Sequence, residues 1–301
     1  MSKGRRRTPS VAGAQSVAAL IEEIDERLTG APHIEDPRRE ANELLAALLD
    51  VPRHWPFLHE NKWIEPAVWQ RARDAVAKRL AGAPRAYAVG QANFRNLTLS
   101  VDERVLIPRP ETELLVELVL ERSPKAGIAV DVGTGSGAIA IALATEGKFD
   151  RVIATDVSSD ALTVGRANAA KYGLRNVEFR LGDLLKPLGG ESKLSVVVSN
   201  PPYVTFGEIR ELPASVRNWE PMIALVSEHD GLAMTKRLVR QAATRLEPRG
   251  LLALEVDARR ASLVAEVVSS DARYEEVTVA LDLAGRERFV FARRGERGEH
   301  V

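Results

Sequence analysis

No cysteine occurs among the 301 residues. That absence excludes disulfide scaffolds and thiolate metal sites, and no metal is expected. Long hydrophobic runs are missing too, since nothing nears the roughly 18 apolar residues of a membrane-spanning helix. The amino-terminal stretch is polar, carries Arg5-Arg6-Arg7 and lacks the apolar segment of a secretory signal, so a cytoplasmic protein is expected. Neither sign of charge is in excess: 42 Lys plus Arg face 42 Asp plus Glu, and a polyanionic partner finds no support in that balance. Aromatic residues make up only 5%, whereas 45% hydrophobic and 28% charged residues are ordinary for a folded chain. At roughly 100–200 residues per domain, the length suggests two domains.

What is present centres on Asn200-Pro201-Pro202-Tyr203. These residues follow Ser195-Val196-Val197-Val198-Ser199, an apolar run that reads as a buried parallel strand. The prolines stiffen the turn and lack N–H groups, while Asn200 brings an acceptor and a donor on one short arm. A planar group with two N–H bonds, an amide or a nucleobase amine, can donate one to the Asn200 side-chain oxygen and one to a nearby backbone carbonyl, with the Tyr203 ring against its face. Asn-Pro and Pro-Pro also punctuate ordinary loops, so the motif gains meaning only from its neighbours.

The chain opens with helical periodicity. Val17, Leu20, Ile21, Ile24 and Leu28 mark one helix, stopped by Gly30 and Pro32. Asp36 and Pro37 start a second that buries Leu44, Leu45, Leu48 and Leu49, and Pro66 opens a third through Val68, Trp69, Ala72, Val76 and Leu80. Residues 15–84 are thus predicted to form a small helical bundle after a disordered tail at 1–14. Up to Pro84 the chain holds 13 basic and 12 acidic residues, which fits a protein-recognition module or a stabilising cap better than a nucleic-acid clamp. Residues 85–110 read as a β-hairpin linker, with Leu97, Leu99 and Val101 alternating. It runs into Pro108-Arg109-Pro110-Glu111-Thr112-Glu113, a stiff turn whose Arg109, Glu111 and Glu113 either face a ligand or cap the next helix.

Residues 111–294, followed by a tail at 295–301, have an α/β pattern. Ile128-Ala129-Val130-Asp131-Val132 reads as a strand, Gly133-Thr134-Gly135-Ser136-Gly137 as a tight turn and 138–144 as a helix. Glycines there let the backbone approach a ligand, and the helix start offers free N–H groups. The next strand, 151–155, ends at Asp156, where an acid can accept both hydroxyls of an adenosine ribose. A third, 177–181, precedes Gly182-Asp183-Leu184; Asp183 can accept from an adenine amine and Leu184 can cover the ring. The glycine spacing also fits a dinucleotide if Ala138 is the last small residue. Asp131 favours a sulfonium cofactor instead, because a pyrophosphate is repelled there while an amino group and a positive sulfur are attracted.

Asp131-Val132-Gly133-Thr134-Gly135-Ser136-Gly137, Asp156, Asp183 and Asn200-Pro201-Pro202-Tyr203 resemble the class I S-adenosylmethionine-dependent methyltransferases that act on planar nitrogen. With the helical bundle, Ile107-Pro108-Arg109-Pro110-Glu111-Thr112-Glu113 and Asp282-Leu283-Ala284-Gly285-Arg286-Glu287-Arg288, residues 15–293 are similar to the HemK/PrmC family of peptide chain release factor glutamine methyltransferases. The resemblance implies a Rossmann-like sheet after the bundle and hairpin. It implies methyl transfer from S-adenosyl-L-methionine, leaving S-adenosyl-L-homocysteine, to the glutamine of a Gly-Gly-Gln loop. A release factor is then the partner, and a monomer without direct nucleic-acid or membrane contact is expected. On this reading Asp131, Gly133, Thr134, Gly135, Ser136, Gly137, Asp156, Asp183, Leu184 and Asn200 bind the cofactor. Asn200, Pro201, Pro202 and Tyr203 hold the glutamine, with Asn200, Pro201 and Tyr203 acting in catalysis. The rival readings are methylation of an exocyclic base amine in DNA or RNA, which suits the same four residues, and a noncatalytic protein-binding module.

Some turns depart from the family pattern: Ala86-Tyr87-Ala88-Val89-Gly90, Arg249-Gly250 in place of Gly-Gly, and Glu255-Val256-Asp257-Ala258-Arg259 in place of Glu-Ile-Gly. Residues 204–230, broken by Pro213 and Pro221, read as an irregular substrate lid containing Glu208, Glu211, Trp219 and Glu220 that orders on partner binding. Beyond it a helix at 232–246, a strand at 251–256, a helix ending at Ser269 and strands at 274–281 and 288–292 are predicted. His33, His54, His59, His229 and His300 fall in no strand-end motif. An amide nitrogen needs none of them as a base, because rigid carbonyl acceptors can orient it and the methylated nitrogen then sheds its proton to water.

Overall fold

The first two helices start at their capping residues. Ser16 Oγ accepts from Ala19 N at 3.2 Å and begins α1 (Val17–Leu28); Asp36 Oδ1 accepts from Arg39 N at 2.9 Å ahead of Pro37 and begins α2 (Pro37–Leu49). In a computed structural model that describes residues 15–123, 126–191, 193–227 and 231–296, the chain divides after Gly90 into two units. The 1–14 tail with Arg5-Arg6-Arg7 lies outside the described residues, as do His229, His300 and the last five residues.

In the first unit, β1 (Gln15–Ser16) pairs antiparallel with β2 (Trp63–Ile64), and α3 (Trp55–Leu58), α4 (Pro66–Leu80) and α5 (Arg85–Val89) complete the bundle. Its core joins Val17, Leu20, Ile24, Leu44, Leu45 and Val76, all buried. Each such side chain contributes roughly 1.5–3 kcal/mol. A part-buried ion pair joins α2 to α4: Arg79 Nε meets Glu40 Oε1 at 2.6 Å, and the same guanidinium also bonds the Ala83 carbonyl. The short α3 and α5 escaped the periodicity reading because one turn is too brief to repeat a pattern. The α5 helix also moves the unit boundary from the expected Pro84 to Gly90, because Ala88 packs into the bundle core.

The second unit begins with the hairpin of β3 (Gln91–Phe94) and β4 (Leu97–Ser100), which is no free linker. Phe94, Leu97 and Leu99 belong to the core of this unit, and Asn168 accepts from Ser100 N at 2.8 Å. After α6 (Pro110–Arg122) come β5 (Ile128–Val132), α7 (Ala138–Glu146), β6 (Arg151–Asp156), α8 (Ser159–Lys171), β7 (Val177–Leu181) and β8 (Leu194–Ser199). The short α9 (Ala214–Arg217) and α10 (Met222–Leu225) precede α11 (Ala233–Arg245), β9 (Leu246–Glu255), α12 (Ala261–Ser269), β10 (Tyr274–Leu281) and β11 (Glu287–Arg294). The seven-stranded sheet runs β10-β11-β9-β8-β5-β6-β7, parallel from β9 to β7, with β11 antiparallel to both of its neighbours.

Alternation along each strand feeds two cores. Ala129, Val152, Val196 and Phe289 point to one face, covered by α6, α7 and α8, while Val130, Ile153, Val197 and Val290 point to the other, covered by α11 and α12. The helix predicted to reach residue 246 stops at Arg245, and β9 starts five residues earlier than expected. Pro248 explains the stop, since it biases Glu247 away from helical geometry. Among the described residues no helix is long and apolar enough to cross a membrane.

Candidate active site

The chain leaves β5 for β6 and β7 on one side and returns to β8 on the other. Ligand crevices in open α/β sheets lie at such a reversal, outside the carboxyl ends of the strands. Here Val132 and Ser199 are partners in the β5–β8 ladder, so Gly133 and Asn200 emerge side by side. A cavity of about 710 Å³, its open mouth included, occupies this crevice. Of the residues singled out from sequence, Gly133, Gly135, Asp156, Asp183, Leu184, Asn200, Pro201 and Pro202 line it.

The glycine turn folds over the end of β6. Gly133 N and Thr134 N both donate to Thr155 O, at 2.8 and 3.0 Å, and Gly135 N donates to Asp156 Oδ2 at 2.9 Å. Gly133 and Gly135 have φ of +74° and +55°, and a Cβ on either would stand in open space where the cavity lies. Gly137, at φ +83°, is closed in by Ile141 and by the backbone of Gly165. Thr134 and Ser136 are buried within the loop and off the cavity wall.

Asp131 is wholly buried behind this loop, and its Oδ2 accepts from Thr134 Oγ1 at 2.6 Å and from Ala140 N at 3.1 Å. Oδ1 has no protein partner. Burial pushes the carboxyl up to about 7 against the pull of those two hydrogen bonds. Asp156 accepts from Ser158 N at 2.9 Å as well as from Gly135, and burial raises it too. Each of its oxygens keeps acceptor capacity. Asp183 is already paired through Oδ2, with Lys186 Nζ at 2.9 Å and with Arg237.

At the end of β8, Ser199 Oγ donates to Val132 O at 2.7 Å, which ties the two strand ends together. Asn200 Nδ2 donates to Thr112 Oγ1 at 3.1 Å, and Thr112 Oγ1 donates to Glu255 Oε2 at 2.7 Å. Tyr203 is not on the cavity wall. Its hydroxyl accepts from Arg288 Nη2 at 3.3 Å, with the guanidinium 5.5 Å from the ring centroid, and burial raises its pKa.

Several residues here carried no sequence signal. Arg104, Val105 and Leu106, from the stretch before Pro108, line the cavity, as do Ile223, Ala224 and Met234. The segment read as an irregular lid carries α9 and α10, and a bridge between Val204 and Val226 holds its ends. Within it Glu220, only 4% exposed, pairs with Arg109 at 2.6 Å; burial raises its carboxyl while Arg109 pulls it down. Arg109 therefore anchors this segment, and Glu208 does the same through Arg260 at 2.8 Å.

Residues 19–90 match the PrmC N-terminal domain and residues 110–212 the methyltransferase small domain. The release factor glutamine methyltransferase of Moorella thermoacetica is 42% identical over 275 residues, which span 90% of this chain and 96% of that one. The chain belongs to the release factor glutamine methyltransferase family. The member from Deinococcus radiodurans is 39% identical over 278 residues, 91% of this chain and 97% of its own. A solved methyltransferase from Pyrococcus furiosus, 18% identical, superposes with a TM-score of 0.51 over 75% of this chain and 98% of its own. That likeness concerns the fold, which is the class I methyltransferase fold. As a member of the family, the chain is a methyltransferase.

Proposed function

We propose that the chain transfers a methyl group from S-adenosylmethionine to the side-chain amide nitrogen of the glutamine in the Gly-Gly-Gln motif of peptide chain release factors, and so modulates translation termination. The observation that carries this reading is Asn200 on the cavity wall with its NH₂ engaged by Thr112, which turns the amide oxygen away as a free acceptor. The names of the family members agree with it.

The residues present fit the cofactor. Open space over Gly133 and Gly135 accepts a ligand against bare backbone, and Asp156 retains lone pairs for two ribose hydroxyls. Asp183 would accept from the adenine amine and Leu184 cover the ring. The loop of Gly133, Thr134, Gly135, Ser136 and Gly137, braced from behind by Asp131, would hold the amino-acid end. When bound, the cofactor supplies an electrophilic methyl group on a positively charged sulfur, which the buried negative charge of Asp131 favours.

The chain's own work is orientation. A glutamine amide nitrogen is a weak nucleophile because its lone pair is delocalised into the carbonyl. Asn200 Oδ1 and the Pro201 carbonyl accept its two hydrogens, and the prolines keep those acceptors from yielding. Their dipoles favour the positive charge that develops on nitrogen as its bond to the methyl carbon forms and the carbon–sulfur bond breaks. Tyr203 follows these acceptors in the chain, and its hydroxyl is held by Arg288. The methylated nitrogen loses a proton to water, so no base is needed. Residues 15–90 serve as the release-factor recognition unit of a cytoplasmic monomer that makes no direct nucleic-acid contact.

Replacing Asn200 by Ala tests the assignment. Methyl transfer to a purified release factor falls by about 100-fold or more while the melting temperature stays within roughly 2 °C. Undiminished transfer by this variant rules the mechanism out.

A further inference from the structure

A buried carboxylate reaches the acceptor site through a single hydroxyl. Glu255, at the end of β9, is fully buried, and its Oε1 has no protein partner. Oε2 accepts from Thr112 Oγ1 at 2.7 Å, and Thr112 Oγ1 in turn accepts from Asn200 Nδ2 at 3.1 Å. Thr112 comes from the first turn of α6, so three elements distant in sequence meet in one line of hydrogen bonds.

A threonine hydroxyl carries one proton. Once that proton goes to an ionised Glu255, Thr112 can meet Asn200 only as an acceptor. Asn200 must then turn its NH₂ inward and its oxygen outward. A protonated Glu255 removes the constraint: it donates to Thr112, the threonine proton is freed for Asn200 Oδ1, and the amide can turn over. The outward group would then be NH₂, which repels an incoming N–H donor.

We propose that Thr112 and ionised Glu255 are positioning residues that lock the Asn200 amide with its oxygen presented to the substrate amide. This inference rests on the reading of Asn200 as acceptor for the glutamine. The charged and titratable groups facing Glu255 are Arg288 from β11, Arg109 and Glu111 from the entry to α6, and Tyr203. Burial pushes Glu255 up to about 7, opposed by the Thr112 bond and the two arginines and reinforced by Glu111. The locked fraction therefore grows as pH rises through neutrality.

Wild type, Thr112→Val, Thr112→Ser and Glu255→Gln are compared for methyl transfer to a purified release factor, at saturating S-adenosylmethionine, from about pH 6 to about pH 9. Melting temperature and S-adenosylhomocysteine affinity are measured on each. Thr112→Val keeps the shape without the hydroxyl, and its kcat falls roughly 100-fold with cofactor affinity changed less than about threefold. Thr112→Ser restores activity. Glu255→Gln lowers kcat about tenfold and loses the rise through neutral pH that wild type shows. In ¹⁵N-labelled protein the side-chain NH₂ pair of Asn200, identified by its absence from Asn200→Ala, shifts in Thr112→Val and stays in place in Thr112→Ser.

A purely structural role for these residues moves the melting temperature alone. Folded Thr112→Val with wild-type kcat and an unmoved NH₂ pair overturns the proposal, as does Glu255→Gln that keeps the pH-dependent rise. If wild type labels no release factor, the functional reading fails and the NH₂ resonances still decide the lock. If Thr112→Val does not fold, the Thr112→Ser and Glu255→Gln results decide it.

Discussion

Asp131→Asn is expected to make the cofactor-free protein more stable while weakening cofactor binding. The folded carboxyl sits at about 7 although the ordinary value is 3.8, so keeping it ionised at pH about 8 costs about 4 kcal/mol relative to the unfolded chain. Asparagine can place its oxygen where Oδ2 now accepts from Thr134 and Ala140. Its NH₂ then takes the place of the partnerless Oδ1, and burying that group costs about 1–3 kcal/mol. The net gain is about 2 kcal/mol, or about 4–8 °C in melting temperature for a unit of this size. Because the folded pKa lies above the unfolded one, the unfolded chain sheds its proton first as pH rises. The contribution of Asp131 to stability therefore declines from about pH 4 to about pH 7 and then levels off, and the advantage of the variant grows over the same window. Melts of both proteins at about pH 5 and about pH 8 measure this, and titration with S-adenosylmethionine should show at least about tenfold weaker binding by the variant. A variant less stable than wild type at the higher pH, or an advantage that does not change with pH, refutes the reasoning.

Two further substitutions probe the walls of the site. Arg109→Ala leaves Glu220 buried without its cation, worth up to about 3 kcal/mol, so the loss should be local. Amide hydrogen exchange should speed up across residues 204–226 and not in β5 or β8; unchanged exchange there contradicts the anchoring role. Gly137→Ala puts a Cβ 3.1 Å from Ile141 Cδ1 and 3.3 Å from Gly165 Cα at a φ of +83°, and should destabilise by about 1–3 kcal/mol in a urea titration. A neutral result would mean that α8 yields easily to the glycine turn.

The strand-end chemistry was legible because each motif sits where an apolar strand stops: the glycine turn after Val132, Asp156 as the last residue of β6 and Asn200 after β8. Parallel pairing then brings those ends together, which no local pattern states but the order of strands and helices implies. Asp131 is expected from sequence to bind the cofactor, but its local pattern does not tell that Thr134 Oγ1 and Ala140 N occupy Oδ2. The supporting residues were hidden for a different reason. Thr112 and Glu255 are 143 positions apart, and each alone reads as an ordinary helix-start or strand-end residue. Arg109 and Glu220 are 111 apart and carry complementary charges that many other pairs in a chain with equal numbers of each sign could also have made. The hairpin at 91–100 shows the same limit, since its alternation predicts strands but not that Phe94, Leu97 and Leu99 enter the core of the second unit.

The most direct test of the account is methyl transfer from labelled S-adenosylmethionine to a purified release factor, beside the same factor with the Gly-Gly-Gln glutamine changed to alanine and a mixture of RNA and DNA. Label on the wild-type factor alone is the predicted result. Label that survives loss of the glutamine, or that appears on nucleic acid instead, contradicts it.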